Sequence, residues 1–183
     1  YVPTDRVLDG LYDFTWYWEF ECNPTGPSEF NGYVAVVSEN QLNDSSYTYD
    51  ADQNPVYHGS LGYRGSGDIW GNNSNNMSSH TAYGAGDVVM IAFNPASGGF
   101  WVGLNGTWST DPDVDLPAET SNDAGLNFTP VTQAREVGEG GTLRSVSSKF
   151  SYSIPSSCRA LGDLFKPETE VWAVEADFWV EMG

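Results

Sequence analysis

The clearest pattern in the chain lies between Gly86 and Gly106. After Gly86-Asp87 comes an unbroken apolar run, Val88-Val89-Met90-Ile91-Ala92-Phe93. Six apolar residues between turn formers predict a strand buried on both faces. Asn94 to Gly99 holds Pro95, Gly98 and Gly99, which close off a helix and supply a turn. Phe100 to Leu104 resumes as a second strand, and Asn105-Gly106 predicts a tight hairpin into a third strand at Thr107-Trp108.

Phe14 to Cys22 alternates with period two. Trp16, Trp18 and Phe20 form one face, the core face, while Tyr17, Glu19 and Glu21 form the other. Gly32 to Val37 reads as a β-branched strand, and Phe128 to Val137 as another. Thr142 to Ile154 reads as one or two strands, with Leu143, Val146 and Phe150 as core candidates. Val171 to Met182 alternates in part, with Trp172, Val174 and Ala176 on one face, then Phe178 and Val180. It reads as a terminal strand pair or an extension that packs on a neighbour. No window carries a sustained helical stripe, so helix is expected to be nearly absent.

Between these strands lie polar stretches. Ser38 to Ser60 is the least regular part of the chain and contains Tyr47, Tyr49 and Tyr57 among Ser, Asn and Asp. Loops longer than about 12 residues in a compact domain are commonly functional or disordered. Tyrosine gives rigid contact area at small entropic cost. Tyr47, Tyr49 and Tyr57, followed by Asn72 and Asn73, are therefore the candidate ligand-binding residues, with rim packing as the alternative role for the tyrosines. Gly71 to Ser79 reads as a polar tip ending a hairpin, and Ser109 to Asn127 as a long acidic loop.

Four segments, in this order, resemble SPRY domains: Trp16-Tyr17-Trp18-Glu19 as the opening strand, Gly62-Tyr63 to Asp68 as the central turn, Gly86 to Gly106, and Phe150 to Pro155 as a closing strand of the type found in phage and bacteria. Asn94 stands where those domains usually carry Asp. The resemblance implies an all-β, concanavalin-like (SPRY) sandwich of two antiparallel sheets. It divides the chain into a lead-in strand or strap at 1–13, a domain at 14–161, and an extension at 162–183 with terminal strands.

The chain has 183 residues, 14% of them aromatic, which suits one domain with a substantial core. Its net charge is −18, from 25 acidic and 7 basic residues, which disfavours nucleic acid and anionic membranes as partners. Solubility at high salt explains such a surface, as does attraction to cations or a basic partner. No apolar stretch reaches the ~18 residues that span a bilayer, so membrane insertion is not expected. No signal peptide is evident. An opening Tyr1 in place of Met suggests a processed product or part of a longer chain. Cys22 and Cys158 fall on the expected first and last core strands, so a disulfide and two free thiols both remain open.

Catalytic motifs are sparse. His58 and His80 lie in polar loops, and no nucleophile elbow, zinc motif or phosphate loop is present. Glycoside hydrolysis needs two carboxylates, and Glu19 with Glu21 is the best pair available. Hydrolases of this fold carry a longer motif, E-x-D-x-x-E, so solvated outer-face carboxylates are the simpler expectation. Asp111, Asp113 and Asp115 alternate in a way that suits calcium, which is the one candidate cofactor. An Asp-Pro turn of the framework explains the same residues. The resulting expectation is a non-enzymatic binding or structural module on a virion surface, such as a phage tail, fibre or capsid. Its partners would be other virion subunits and a host-surface glycan or protein. The rivals are a secreted glycan-active enzyme or lectin and a purely architectural subunit.

Overall fold

The computed structural model describes residues 8, 10, 13–43, 59–72, 74–135 and 138–165, with backbone alone at 74–76 and 164–165. Two β-sheets face each other. The larger contains β1 (Thr15–Cys22), β6 (Val88–Asn94), β7 (Gly99–Leu104), β8 (Thr107–Trp108), β9 (Glu119–Thr120), β11 (Gly141–Arg144) and β12 (Cys158–Ala160). Its order is β11-β1-β6-β7-β8, with β12 also on β1 and β9 on β7. The smaller contains β2 (Tyr33–Ser38), β3 (Leu61–Arg64), β4 (Asp68–Gly71), β5 (Ser74–Ser79) and β10 (Phe128–Gln133), in the order β10-β2-β3-β4-β5. Helix is limited to α1 (Glu39–Asn43) and the 3-10 turns η1 (Ser147–Lys149) and η2 (Leu161–Phe165) among the described residues.

The register explains the core. Trp16, Phe93 and Phe100 form one cross-strand row, Trp18, Ile91 and Val102 the next, and Phe20, Val89 and Leu104 a third. Val34, Val36, Leu61, Tyr63, Ile69 and Phe128 meet them from the smaller sheet. The Phe93 and Phe128 ring centroids lie 4.7 Å apart. Trp16, Trp18, Phe20, Val36, Val89, Ile91, Phe93 and Val102 are all buried, as their period-two faces predict.

The Gly86-Asp87 and Asn105-Gly106 signatures turn out to be one framework device. The Asp87 carboxylate accepts from Gly84 N–H at 2.9 Å and from the Asn105 amide at 2.7 Å. Asn105 Oδ1 in turn accepts from Val88 N–H. Asn105 (φ 50°) and Gly106 (φ 82°) are both left-handed, as a two-residue hairpin turn requires. Asn94 donates to Asp13 Oδ1 at 2.8 Å and accepts from Ser97 N–H at 3.0 Å. An Asp at 94 would set two carboxylates against each other, which explains the amide at this position.

Several expectations are corrected. Phe150 to Pro155 is an irregular strap, because the Ser151 and Tyr152 N–H groups donate to the Glu19 carboxylate and join no ladder. The polar run Ser74–Ser79 is not a tip but an edge strand, where polar side chains are tolerated. Leu143 is 39% exposed because β11 is the other sheet's edge. Both sheets are antiparallel as expected, with one short parallel addition where β12 runs beside β1. Cys158 lies opposite Thr15 while Cys22 lies opposite Gly141, seven residues further along β1, roughly 23 Å at 3.3 Å per residue. Both thiols are accordingly free.

The lead-in meets the smaller sheet through Leu8, which exchanges two backbone hydrogen bonds with Phe128. Pro130 is accommodated in β10 because that strand is an edge. No helix among the described residues is long and apolar enough to cross a membrane. The alternating stretch at 171–182 lies outside the described residues.

Candidate functional site

Three surfaces could carry function: the outer face of each sheet and the loops at the ends. The outer face of the larger sheet carries Tyr17, Glu19, Met90, Ala92 and Trp101, all buried, and Glu21, which is partly exposed at its end. Glu19 is not the solvated carboxylate expected from alternation; its exposure is 0%. Its Oε1 accepts from the Tyr17 hydroxyl at 2.7 Å and Tyr152 N–H at 2.9 Å. Its Oε2 accepts from Ser151 N–H at 2.7 Å, with Arg144 Nη1 at 3.7 Å. Arg144 also donates to Glu21 and to the Ser151 hydroxyl. Burial, and then the Glu19 acceptor, hold the Tyr17 hydroxyl well above the ordinary phenol range. Phe150 seats the strap on the Tyr17 ring, centroids 4.7 Å apart.

A second loop completes this cover. Trp101 Nε1 donates to Asp115 O at 3.3 Å, which brings the acidic loop onto the sheet. The three candidate calcium ligands are not brought together. Asp111 Oδ1 accepts from Asp113 N–H, and Asp115 Oδ2 from Asp111 N–H, both at 2.9 Å. Asp113 turns the other way and accepts from Ser156 N–H at 2.9 Å and Ser157 N–H at 2.7 Å. The Ser157 side chain and then those backbone bonds hold the exposed Asp113 carboxyl below its usual range, and the bonds tie the acidic loop to the strap. Among the described residues no group of three or more His, Cys, Asp or Glu side chains is placed to hold a metal ion.

The outer face of the smaller sheet is also buried. Tyr33, Ala35, Val37 and Val131 point away from the core and are at most 4% exposed. Trp70 lies half-buried beside them, with the Arg64 guanidinium 5.3 Å from its ring and Tyr33 at 6.1 Å. Tyr63 is core framework, and its hydroxyl donates to Thr81 O.

The end of the sandwich near Asn72 is a set of loops pinned to one another. Asn72 (φ 50°) donates to Thr120 O and accepts from Asn122 N–H, both at 2.8 Å. The Ser121 hydroxyl donates to Gly59 O, and Gly59 N–H donates to Asp123 at 3.2 Å. Ser121 N–H donates to Gly98 O at 2.9 Å. The turns at Gly59, Asn72, Gly98 and Ser121 thus form one rigid rim. Asn72, a candidate ligand residue, is a staple with both ends of its amide engaged. Tyr47, Tyr49, Tyr57 and Asn73 lie outside the described residues; Gly59, the first described residue after 44–58, belongs to this rim. Sequence reading missed Ser121 and Asp123. The signal was present, because Ser-Asn-Asp at 121–123 is a side-chain-capped turn in residue type.

His80 contributes no catalytic constellation. Its Nε2 lies 3.2 Å from the Ser78 hydroxyl and its ring meets Tyr63 edge-on, with burial lowering its pKa. His58 lies outside the described residues.

No family model and no curated protein matches the chain. Among solved structures it is similar to the SPRY domain of human HERC1, with a TM-score of 0.53 and 12% identity over 78% of each chain. The fold is therefore a SPRY-like, concanavalin-like sandwich.

Proposed function

We propose that this chain is a non-enzymatic binding module that grips its ligand with the loops around the Asn72 rim. The observation that carries this reading is the closure of the larger sheet's outer face. A glycosidase of this fold needs carboxylates open to substrate and water. Glu19 instead has both oxygens engaged by protein donors beneath the strap. The buried outer face of the smaller sheet leaves the loop end as the available surface.

The rim supports recognition by fixing several turns in one place. Such a scaffold positions an adjoining variable loop at low entropic cost. Tyr47, Tyr49 and Tyr57 precede Gly59 of the rim in sequence, and aromatic rings beside amides suit both glycans and peptides. The SPRY-like fold favours a protein-interaction role. The acidic balance and Asn- and Ser-rich loops favour display on a virion surface, with a host-surface glycan or protein as target and other virion subunits as neighbours.

The test is to apply the purified chain to glycan arrays and host-cell surfaces while assaying reducing-sugar release. Retention of a ligand without cleavage is expected. Sugar release that disappears in Glu19→Gln would replace this reading with the enzymatic one.

A further inference from the structure

The edge of the larger sheet beside β11 is unfinished, and the end of the described chain arrives at it. β11 and β12 lie on the same side of β1, the first antiparallel to it and the second parallel. Leaving β12, the chain enters η2, where Gly162 N–H donates to Ser145 O at 2.6 Å. The chain therefore reaches the outer edge of β11 from a strand that runs antiparallel to β11.

The ladder phase shows what that edge offers. Asn23 N–H donates to Gly140 O, so Asn23 and Gly140 are a hydrogen-bonded pair. Alternation makes Glu21 with Thr142 and Glu19 with Arg144 the next such pairs. Gly141, Leu143 and Ser145 consequently turn their peptide groups away from β1. Ser145 meets Gly162. For Leu143 no partner at this edge occurs among the described residues. Its side chain shares the core face with Phe20, yet is 39% exposed. A groove of about 530 Å³ runs past Leu143, Arg144, Ser145, Val146 and Lys149.

The remaining segment of the chain matches this edge. In 171–182 every even position is apolar: Trp172, Val174, Ala176, Phe178, Val180 and Met182. The odd positions mix Val171, Ala173 and Trp179 with Glu175, Asp177 and Glu181, so every acidic residue of the stretch falls on that face, and no basic residue follows Lys166. We propose that residues 171–182 add to β11 of the same chain as an antiparallel strand. The even face then extends the core past Leu143, and the acidic face lies along Arg144 and Lys149. The five residues between Phe165 and Val171 reach roughly 17 Å when extended, against about 13 Å for four-residue β11, so the connection is not limiting. Pairing would also protect an open sheet edge.

Amide hydrogen exchange on the full-length chain tests this, with light scattering to fix its oligomeric state. In the parent monomer, amides within 171–182 and at Leu143 should exchange at least about tenfold more slowly than an unstructured chain. Val174→Asp, outside the described residues, should abolish protection in both places while β6 stays protected. Leu143→Asp should do the same from the other side, and Lys149→Glu should weaken it. Unstructured exchange of 171–182 in the parent would overturn the proposal. So would protection confined to a dimer, which would assign the strand to a second copy, or protection indifferent to both aspartate substitutions.

Discussion

The Ser151 backbone N–H donates to Glu19 Oε2 at 2.7 Å across 132 residues of sequence. This bond and its neighbour from Tyr152 convert what would be a closing strand into a strap, and an outer-face carboxylate into a buried anchor. Glu19→Gln keeps the shape but offers an NH₂ group where a backbone N–H requires an acceptor. Leaving buried donors unsatisfied costs about 1–3 kcal/mol, more beside a charge such as Arg144. Chemical denaturation should show a loss of at least this size. Unchanged stability would mean that the strap is not latched through Glu19.

Asn94→Asp should also destabilise the chain, because the amide donor to Asp13 becomes a second carboxylate. The expected loss is about 1 kcal/mol, roughly 2–4 °C in melting temperature for a domain of this size. Adding Asp13→Asn should restore most of it, since the donor and acceptor roles are then exchanged.

Asn72→Ala removes both bonds of the rim staple and leaves a non-glycine residue without local compensation at positive φ. A loss of about 1–2 kcal/mol is expected. Asn72→Gly should lose less, because glycine relieves the backbone cost. Equal losses in a thermal melt would show that the side-chain bonds, not the backbone, set the value.

The thiols provide a pH test. Burial pushes the Cys22 thiol up from 9.0 to about 12, and Cys158 from 9.0 to about 11. The thiolate is the reactive form, so at pH 8 the native chain should resist alkylation and label at both cysteines only when unfolded. Below about pH 9 both states keep their thiol protons. Between that value and the folded-state values the unfolded chain ionises first, so stability falls as pH rises. Fast labelling at pH 8 or a reductant-sensitive melting temperature would contradict this arrangement.

The legibility of the chain followed the range of its interactions. Trp16, Trp18 and Phe20 were readable because period two assigns a face, and Asn105-Gly106 because its backbone conformation is local. Alternation also placed Glu19 on the outer face, but it could not reveal that Ser151 and Tyr152 return to cover that face. Asp111 and Asp113 show the same limit. Alternating carboxylates suit calcium or a capped turn, and only the position of Ser156 and Ser157 separates the two uses. Asn72 was singled out as a ligand residue, whereas in the structure its amide holds Thr120 and Asn122. No local pattern points to those partners.

The most direct measurement of the central claim is binding of Tyr49→Ala and Tyr57→Ala to the glycan or cell surface that the parent chain retains, read alongside their melting temperatures. Each variant should lose binding by about 2 kcal/mol or more, the cost of truncating a hot-spot tyrosine, with the melting temperature unchanged. Binding equal to the parent in both variants would contradict it and leave the architectural role as the better description of the chain.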